Sequence, residues 1–378
     1  MIPNQRHLFS IPEAVSYLNC AYTAPLMKTA EAAGRQAVTA KTQPWQITPS
    51  HFFSTIAPVK EKFARLVNCT PQDVAIIPAV SYGIAFAAKN LPLSAGEEIL
   101  VLDEQFPSNI YAWQKKAAEA EARVTIIKRP EDHDWTRAVM GALSGKTAIA
   151  ALPHCHWTDG SRLDLTAIGE RCREVGAALC IDATQSLGAL PLDIEAVQPD
   201  FLLTTAHKWL LGPYGFGFAY VAPQWQGGTP LEENWMNRKG SQDFSRLVDY
   251  RDDYQPGAAR FDMGAASQFI LAPVAEAALD QILDWGVENI SATLATRIER
   301  VAALSKELGL DVLPRHVRSP HLTGIGFRNG LPGGLTDALA EERIYVSIRG
   351  TSLRVAPHLY TADRDIRRLG NVLQRFAG

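Results

Sequence analysis

A series of short apolar runs sets the tightest limit on how this chain can fold. They cover residues 74–77, 99–102, 124–127, 148–152, 178–181, 201–203 and 216–221, each bounded by Pro, Gly, Asp or Lys. Runs this short, rich in Val, Ile, Leu and Phe, predict strands buried on both faces. Amphipathic stretches lie between them at 81–89, 107–122, 135–143 and 165–175. Strand–helix alternation predicts an α/β layer around a mostly parallel, seven-stranded sheet. The last run follows its neighbour with no helix between, so one antiparallel strand is expected.

The pattern changes after Gly264. A helical stretch over 269–310 is interrupted only at Trp285–Gly286, and strand-like segments follow at 324–327, 345–348 and 353–355 before a last helix over 362–376. This predicts an N-terminal segment (1–25), a large domain (26–264) and a smaller α+β C-terminal domain (265–378). The stretch 224–259 has little period and is rich in Trp, Asn, Arg, Asp and Gly. A loop of that length is usually functional.

Composition excludes several classes of function. The formal net charge is −3 and the pI about 6.3, so no basic field exists to draw nucleic acid or an anionic membrane surface. The uncharged stretch from Trp209 to Leu231 is long enough to span a bilayer, but its repeated Gly and Pro argue against a membrane helix. The opening MIPNQRHLFSIPEA has no apolar core after a basic start, so no signal peptide is expected. The five cysteines include no CxxC pair. Neither a disulfide framework nor a zinc site is expected, and a cytoplasmic protein is.

Three polar residues stand where a parallel sheet binds ligands, at the carboxyl ends of strands. Asp182 ends ALCID, Gln185 follows it, and Lys208 stands in TTAHKWLLGPYGFG just past another apolar run. A pyridoxal phosphate enzyme needs such parts. A lysine amine must condense with the aldehyde, and a carboxylate must keep the pyridine nitrogen protonated so that the ring draws electrons from the substrate. A donor beside the ring oxygen, an aromatic plate and a helix N-terminus for the phosphate complete the set. AVSYGIAFAAK opens a helix after VAIIP, offering N–H groups near Ser81, Tyr82 and Gly83. His207 could add a phosphate contact, and Phe106, after ILVLDE, could stack on the ring.

On these residues the chain resembles the class V branch of fold type I pyridoxal-phosphate enzymes, over about Leu18 to Leu369. That branch holds cysteine desulfurases, selenocysteine lyases, kynureninases and isopenicillin-N-epimerase-like proteins. DATQSLG followed by TAHKWLLGPYGFG is the most specific match, and EQFPSN is similar to the kynureninase segment that carries the stacking Phe. HCHWTDG is similar to the segment beside the ring oxygen, RFDMG to the segment joining the domains, and SLRVAPHLY to the segment whose Arg grips the substrate α-carboxylate. The resemblance implies Lys208, Asp182 and Phe106 as catalytic residues. It implies Ser81, Tyr82, Trp157, Gln185, His207 and Trp235 as further cofactor contacts. Arg354 is implied as the carboxylate clamp, with Asn19 and Tyr22 also at the substrate. It implies a homodimer with the active site at the interface, the segment 224–259 crossing with Trp235, Asn237, Arg238 and Ser241.

The chain departs from the desulfurases at one point. The stretch VSIRGTSLR before the clamp has no cysteine, which disfavours persulfide chemistry. Within the resemblance, transamination, β- or γ-bond cleavage (kynureninase-like or C–S lyase) and racemisation all remain open. All begin with a substrate imine (the external aldimine) and removal of the α-proton by Lys208. Arg349 is the alternative clamp, and strand alternation over five residues is expected to turn it to the other side. His154 and His156 alternate along an extended stretch, so at most one is expected to face the site, and no third residue accompanies them as a metal ligand. A cofactor-free α/β binding module is the rival reading. It would be expected to have lost Lys208 or Asp182, and the chain has no GxGxxG opening an early helix.

Overall fold

The structure is a computed structural model that describes residues 1–377. Among these residues thirteen strands form three sheets. They are β1 (Ser16–Tyr17), β2 (Val74–Ile77), β3 (Glu98–Leu102), β4 (Arg123–Ile127), β5 (Thr147–Pro153), β6 (Ala178–Asp182), β7 (Phe201–Thr205), β8 (Gly217–Val221), β9 (Asp311–Val312), β10 (Thr323–Gly326), β11 (Ile344–Tyr345), β12 (Ser347–Arg349) and β13 (Ser352–Val355). The helices are α1 (Lys28–Lys41), α2 (His51–Ser54), α3 (Ala57–Val67), α4 (Val80–Asn90), α5 (Tyr111–Glu119), α6 (Trp135–Ala142), α7 (Leu165–Val175), α8 (Ile194–Val197), α9 (Leu271–Trp285), α10 (Val287–Glu307), α11 (Leu335–Glu341) and α12 (Asp363–Gln374).

The large sheet runs β2-β8-β7-β6-β5-β3-β4, and β8 alone opposes its neighbours. Period-two alternation divides its side chains between two cores. Leu100, Leu102, Leu179 and Ile181 enter one, and Ile99, Val101 and Cys180 the other. The apolar runs therefore lack polar alternation because helices cover both faces. Phe218 lies flat on Phe63 at 4.3 Å between ring centroids, both buried, and truncating such a ring to Ala costs about 3–5 kcal/mol. One strand departs from the expected burial: β4 is an open edge of the sheet, and Ile126 is exposed there, whereas β2 at the other edge is covered by Asp262 and Met263, which bond Ile76.

Other boundaries shift for local reasons. The stretch 107–122 is not one helix: a 3-10 turn, Pro107–Asn109, precedes α5, and Ile110 breaks the run with φ −129° and ψ −52°. The segment 345–348 is divided at Val346, where β11 pairs with β1 and β12 turns to β13. The helices α1 and α3 precede the first run and pack on α9. A face built from alanines, of which Ala30 is the buried one, explains why α1 shows no strong apolar period. The second sheet, β12-β13-β10-β9, is antiparallel and packs its own core with α12. No helix is long and apolar enough to cross a membrane among the described residues.

Candidate active site

The carboxyl ends of β2, β3, β5, β6 and β7 open on one cavity of about 290 Å³. Ser81, Gln105, Phe106, Cys155, Trp157, Asp182, Thr184, Gln185, Thr205, His207, Lys208 and Tyr214 line it. Strands β6 and β7 are parallel neighbours, Asp182 pairing with Leu203, so the end of β6 bearing Asp182 and the loop bearing Lys208 are brought side by side.

Lys208 is half-buried, and its Nζ lies 5.7 Å from the centroid of the Phe106 ring. Burial presses its amine down to about 8, helped by the like charges of Arg354 and Arg349 and opposed by Asp182. The charged form loses hydration and gains only one opposite charge, so a neutral nucleophile is accessible near neutral pH. Asp182 is buried and accepts the Thr184 N–H at 3.0 Å. Burial raises its carboxyl, with the Thr184 bonds and Lys208 holding it partly back. A cationic ring nitrogen beside it would supply the missing charge partner.

The cofactor side is only partly as expected. Ser81 stands at the cavity in the first turn of α4, but the Tyr82 and Gly83 N–H groups turn back to the Ala79 carbonyl at 3.1 and 3.4 Å. Tyr82 lies outside the cavity lining, its hydroxyl directed to Glu232. His207 packs on Tyr214 at 4.6 Å, and burial lowers its imidazole to about 4, so it stands neutral. Gln185 is held on both ends: Nε2 donates to the Ala21 carbonyl and Oε1 accepts from Trp209. Gly188 of the same motif has φ +97°, and a Cβ there would strike the Trp209 carbonyl. Only glycine fits that approach.

Phe106 and Trp157 meet edge to face at 5.3 Å. The Trp157 indole donates to the Glu104 carbonyl at 2.7 Å, and Glu104 holds φ +52°. Behind both walls Arg129 pairs with Glu104 and with the buried Asp159. Neither His154 nor His156 faces the cavity; Cys155 and Trp157 take that parity. His156 stacks on Trp135 and bonds the Asp103 carbonyl, while His154 is turned to a separate groove.

Arg354 is 1% exposed and donates from Nη1 to the Trp157 carbonyl at 2.8 Å. Its Nε and Nη2 have no partner among the described residues. Asn19 is buried against its neighbourhood: its Oδ1 accepts the Ser347 hydroxyl at 2.7 Å, and Ser347 lies opposite Arg354 across the hairpin. Tyr22 is largely exposed, next to residues 23 and 24, which bond the His207 carbonyl. The expected separation of Arg349 from Arg354 fails. The two lie on different strands, β12 and β13, joined by a turn, and fall on one face of the hairpin.

Trp235 is not at this cavity. It packs with Phe52, Phe53 and Phe244. Asn237 donates to the Arg260 and Asp262 carbonyls just past the loop, and Ser241 to the Met236 carbonyl within it. Sequence reasoning also missed lining residues. Gln105 Nε2 and Thr205 Oγ1 are buried polar atoms at the cavity without partners among the described residues. Gln105 follows β3 and Thr205 ends β7, and those positions were the available signal.

A poised lysine, a buried carboxylate, an aromatic plate and a helix start at the carboxyl edge of this sheet define the pyridoxal-phosphate class of enzyme. The orphaned donors and the partly uncompensated Asp182 fit a polar, anionic cofactor with a protonated ring. The chain belongs to the Aminotransferase class-V family, whose model matches residues 41–361, and with that family it depends on pyridoxal phosphate. It is 27% identical to an uncharacterized aminotransferase, YcbU, of Bacillus subtilis, over 82% of this chain and 80% of that one. It is 24% identical to isopenicillin N epimerase of Streptomyces clavuligerus over 84% of each. In fold it is similar to the cystine C–S lyase C-DES in complex with cysteine persulfide, with a TM-score of 0.86 at 22% identity over 96% of this chain and 98% of that one.

Proposed function

We propose that this enzyme grips an α-amino acid by its carboxylate on Arg354 and moves the proton at its Cα with Lys208. The observation that carries this reading is the unpartnered edge of the buried Arg354 guanidinium, Nε and Nη2. Two parallel donors on one planar edge match a carboxylate bidentately. Burial and the charge of Arg349 both work against this cation, so an anion there relieves a standing cost.

Pyridoxal phosphate, when bound, supplies an aldehyde that condenses with amines and a ring that draws electrons from Cα. Ser81, Thr205 and His207 would hold its phosphate, and Phe106 would cover one ring face. Gln185 and Trp157 would stand beside the ring, and Asp182 would hold the proton at its nitrogen. Lys208 would take the α-proton and return it. Asn19 would order the clamp's hairpin through Ser347, and the exposed Tyr22 would meet the incoming substrate.

The thiols support chemistry without a persulfide on the protein. Cys20, Cys155, Cys172 and Cys180 are buried, and burial pushes their thiols above the ordinary range. An epimerase among the relatives supports proton chemistry at Cα. The test mixes the holoenzyme with a panel of amino acids, following the cofactor band and α-proton exchange in deuterated water. Exchange with at least one amino acid, abolished in Lys208→Ala, is expected. A band that no amino acid shifts overturns the reading. Assays for oxo acid, released side-chain fragment and inverted configuration then separate transfer, cleavage and racemisation.

The same reading makes the protein a homodimer with the site at the interface. The partly exposed Trp235 cluster and the adjacent exposed Tyr250 and Val248 support a covered surface there. Sedimentation at twice 41.4 kDa is expected; one chain with full activity overturns it. Five unpaired thiols suit a cytoplasmic location.

A further inference from the structure

We infer that Arg349 selects an α-amino acid whose side chain carries a second carboxylate. The inference rests on the amino-acid reading above.

The hairpin decides the geometry. Ser347 lies opposite Arg354 and Arg349 opposite Ser352. Residues directly across a pair share a face, and so do residues two apart on one strand. Arg349 is therefore the diagonal neighbour of Arg354 on one face. The turn between them passes through Gly350 at φ +56°, a conformation that glycine adopts without strain.

Both cations meet the same cavity wall. Arg354 donates to the Trp157 carbonyl at 2.8 Å, and the Arg349 guanidinium lies 5.7 Å from the centroid of the Trp157 ring. Arg354 is buried, whereas Arg349 is half-exposed. The deeper guanidinium suits the α-carboxylate, and the outer one suits a group further along the side chain.

Neither charge is neutralised by the protein. Among the described residues their side-chain hydrogen bonds run only to backbone carbonyls, of Ile348 and of Trp157. The nearby acids are already engaged: Glu104 and Asp159 both pair with Arg129. Arg349 and Arg354 also act on Lys208 as like charges. One substrate carboxylate answers Arg354 and leaves Arg349 unanswered. A second carboxylate answers both, while a neutral amide of the same shape does not.

The test titrates holoenzyme with L-glutamate and L-glutamine and with L-aspartate and L-asparagine, reading affinity from the cofactor band. One acid is expected to bind about ten- to a hundred-fold more tightly than its amide. Arg349→Gln should erase that preference, lowering the acid's affinity far more than the amide's, and Arg349→Glu should reverse it. Thermal melting of both variants like the wild type shows that the fold is kept. Equal binding of acid and amide by the wild type overturns the inference and leaves the amino-acid reading standing. So does an Arg349→Gln loss that is equal for both, which would place Arg349 on the α-carboxylate. A band that no amino acid moves overturns both readings.

Discussion

The Lys208 Nζ stands 5.7 Å from the centre of the Phe106 ring, and Asp182 ends the strand beside the one that leads to Lys208. Amine, aromatic plate and carboxylate come from the carboxyl ends of three different strands: Phe106 and Lys208 from the loops after β3 and β7, Asp182 from the last residue of β6. Their meeting depends on the sheet order that puts β6 and β7 side by side with β5 and β3 beyond.

Substituting Lys208 by Ala should abolish covalently held cofactor. Borohydride reduction of the wild type followed by peptide mapping should place the label on Lys208, and label on another lysine refutes the assignment. The amine is lowered to about 8, against about 10.4 for a free lysine. Condensation of added pyridoxal phosphate with apoenzyme needs the neutral amine, so its rate should rise with pH and level off above about 8. Arg354→Gln removes a like charge and should move that midpoint upward.

Asp182→Asn keeps the shape and removes the charge. Cofactor should still bind, while exchange of the substrate α-proton slows by about 10²–10³-fold, the scale of losing one aimed electrostatic contact. Exchange at the wild-type rate would show that the carboxylate does not serve the ring.

Arg354→Lys tests the clamp. A single ammonium cannot present the two parallel donors of Nε and Nη2. Affinity for the amino acid should fall about ten- to a hundred-fold, with the amine lacking its carboxylate nearly unaffected. Equal loss for both would mean that the residue acts through folding of the hairpin.

Arg129 ties both aromatic walls, through Glu104 on the Phe106 side and Asp159 on the Trp157 side. Arg129→Met leaves Asp159 buried without its cation, a loss of about 3–5 kcal/mol. Urea unfolding should report that loss. Asp159→Asn combined with Arg129→Met should recover part of it, because the stranded charge is gone; no recovery would mean that packing, not charge, is the cause.

Much of the fold was legible because its signal is local. Each strand of the large sheet is a run that water cannot reach from either side, except β4, which looks the same in sequence but stands at the uncovered edge of the sheet. The long helical stretch broke at Gly286, as read, because that residue takes φ +72° between α9 and α10. The helix α1 was not read, since alanine gives a weak period.

The site divides in the same way. Sequence by itself determined which residues end or follow which strand: Phe106 after β3, Asp182 at the end of β6 and Gln185 after it, His207 and Lys208 after β7. Backbone direction is a property of the chain, and parallel strands deliver their carboxyl ends to one edge. Tertiary structure decided which side chains turn inward. It gave the cavity to Cys155 and Trp157 rather than His154 and His156, and it sent Trp235 to an aromatic cluster of its own. It also put Arg349 on the face of Arg354, against the parity of a continuous strand. A two-residue turn reverses the chain, so the number of residues between two positions no longer sets their relative side; pairing across the hairpin does.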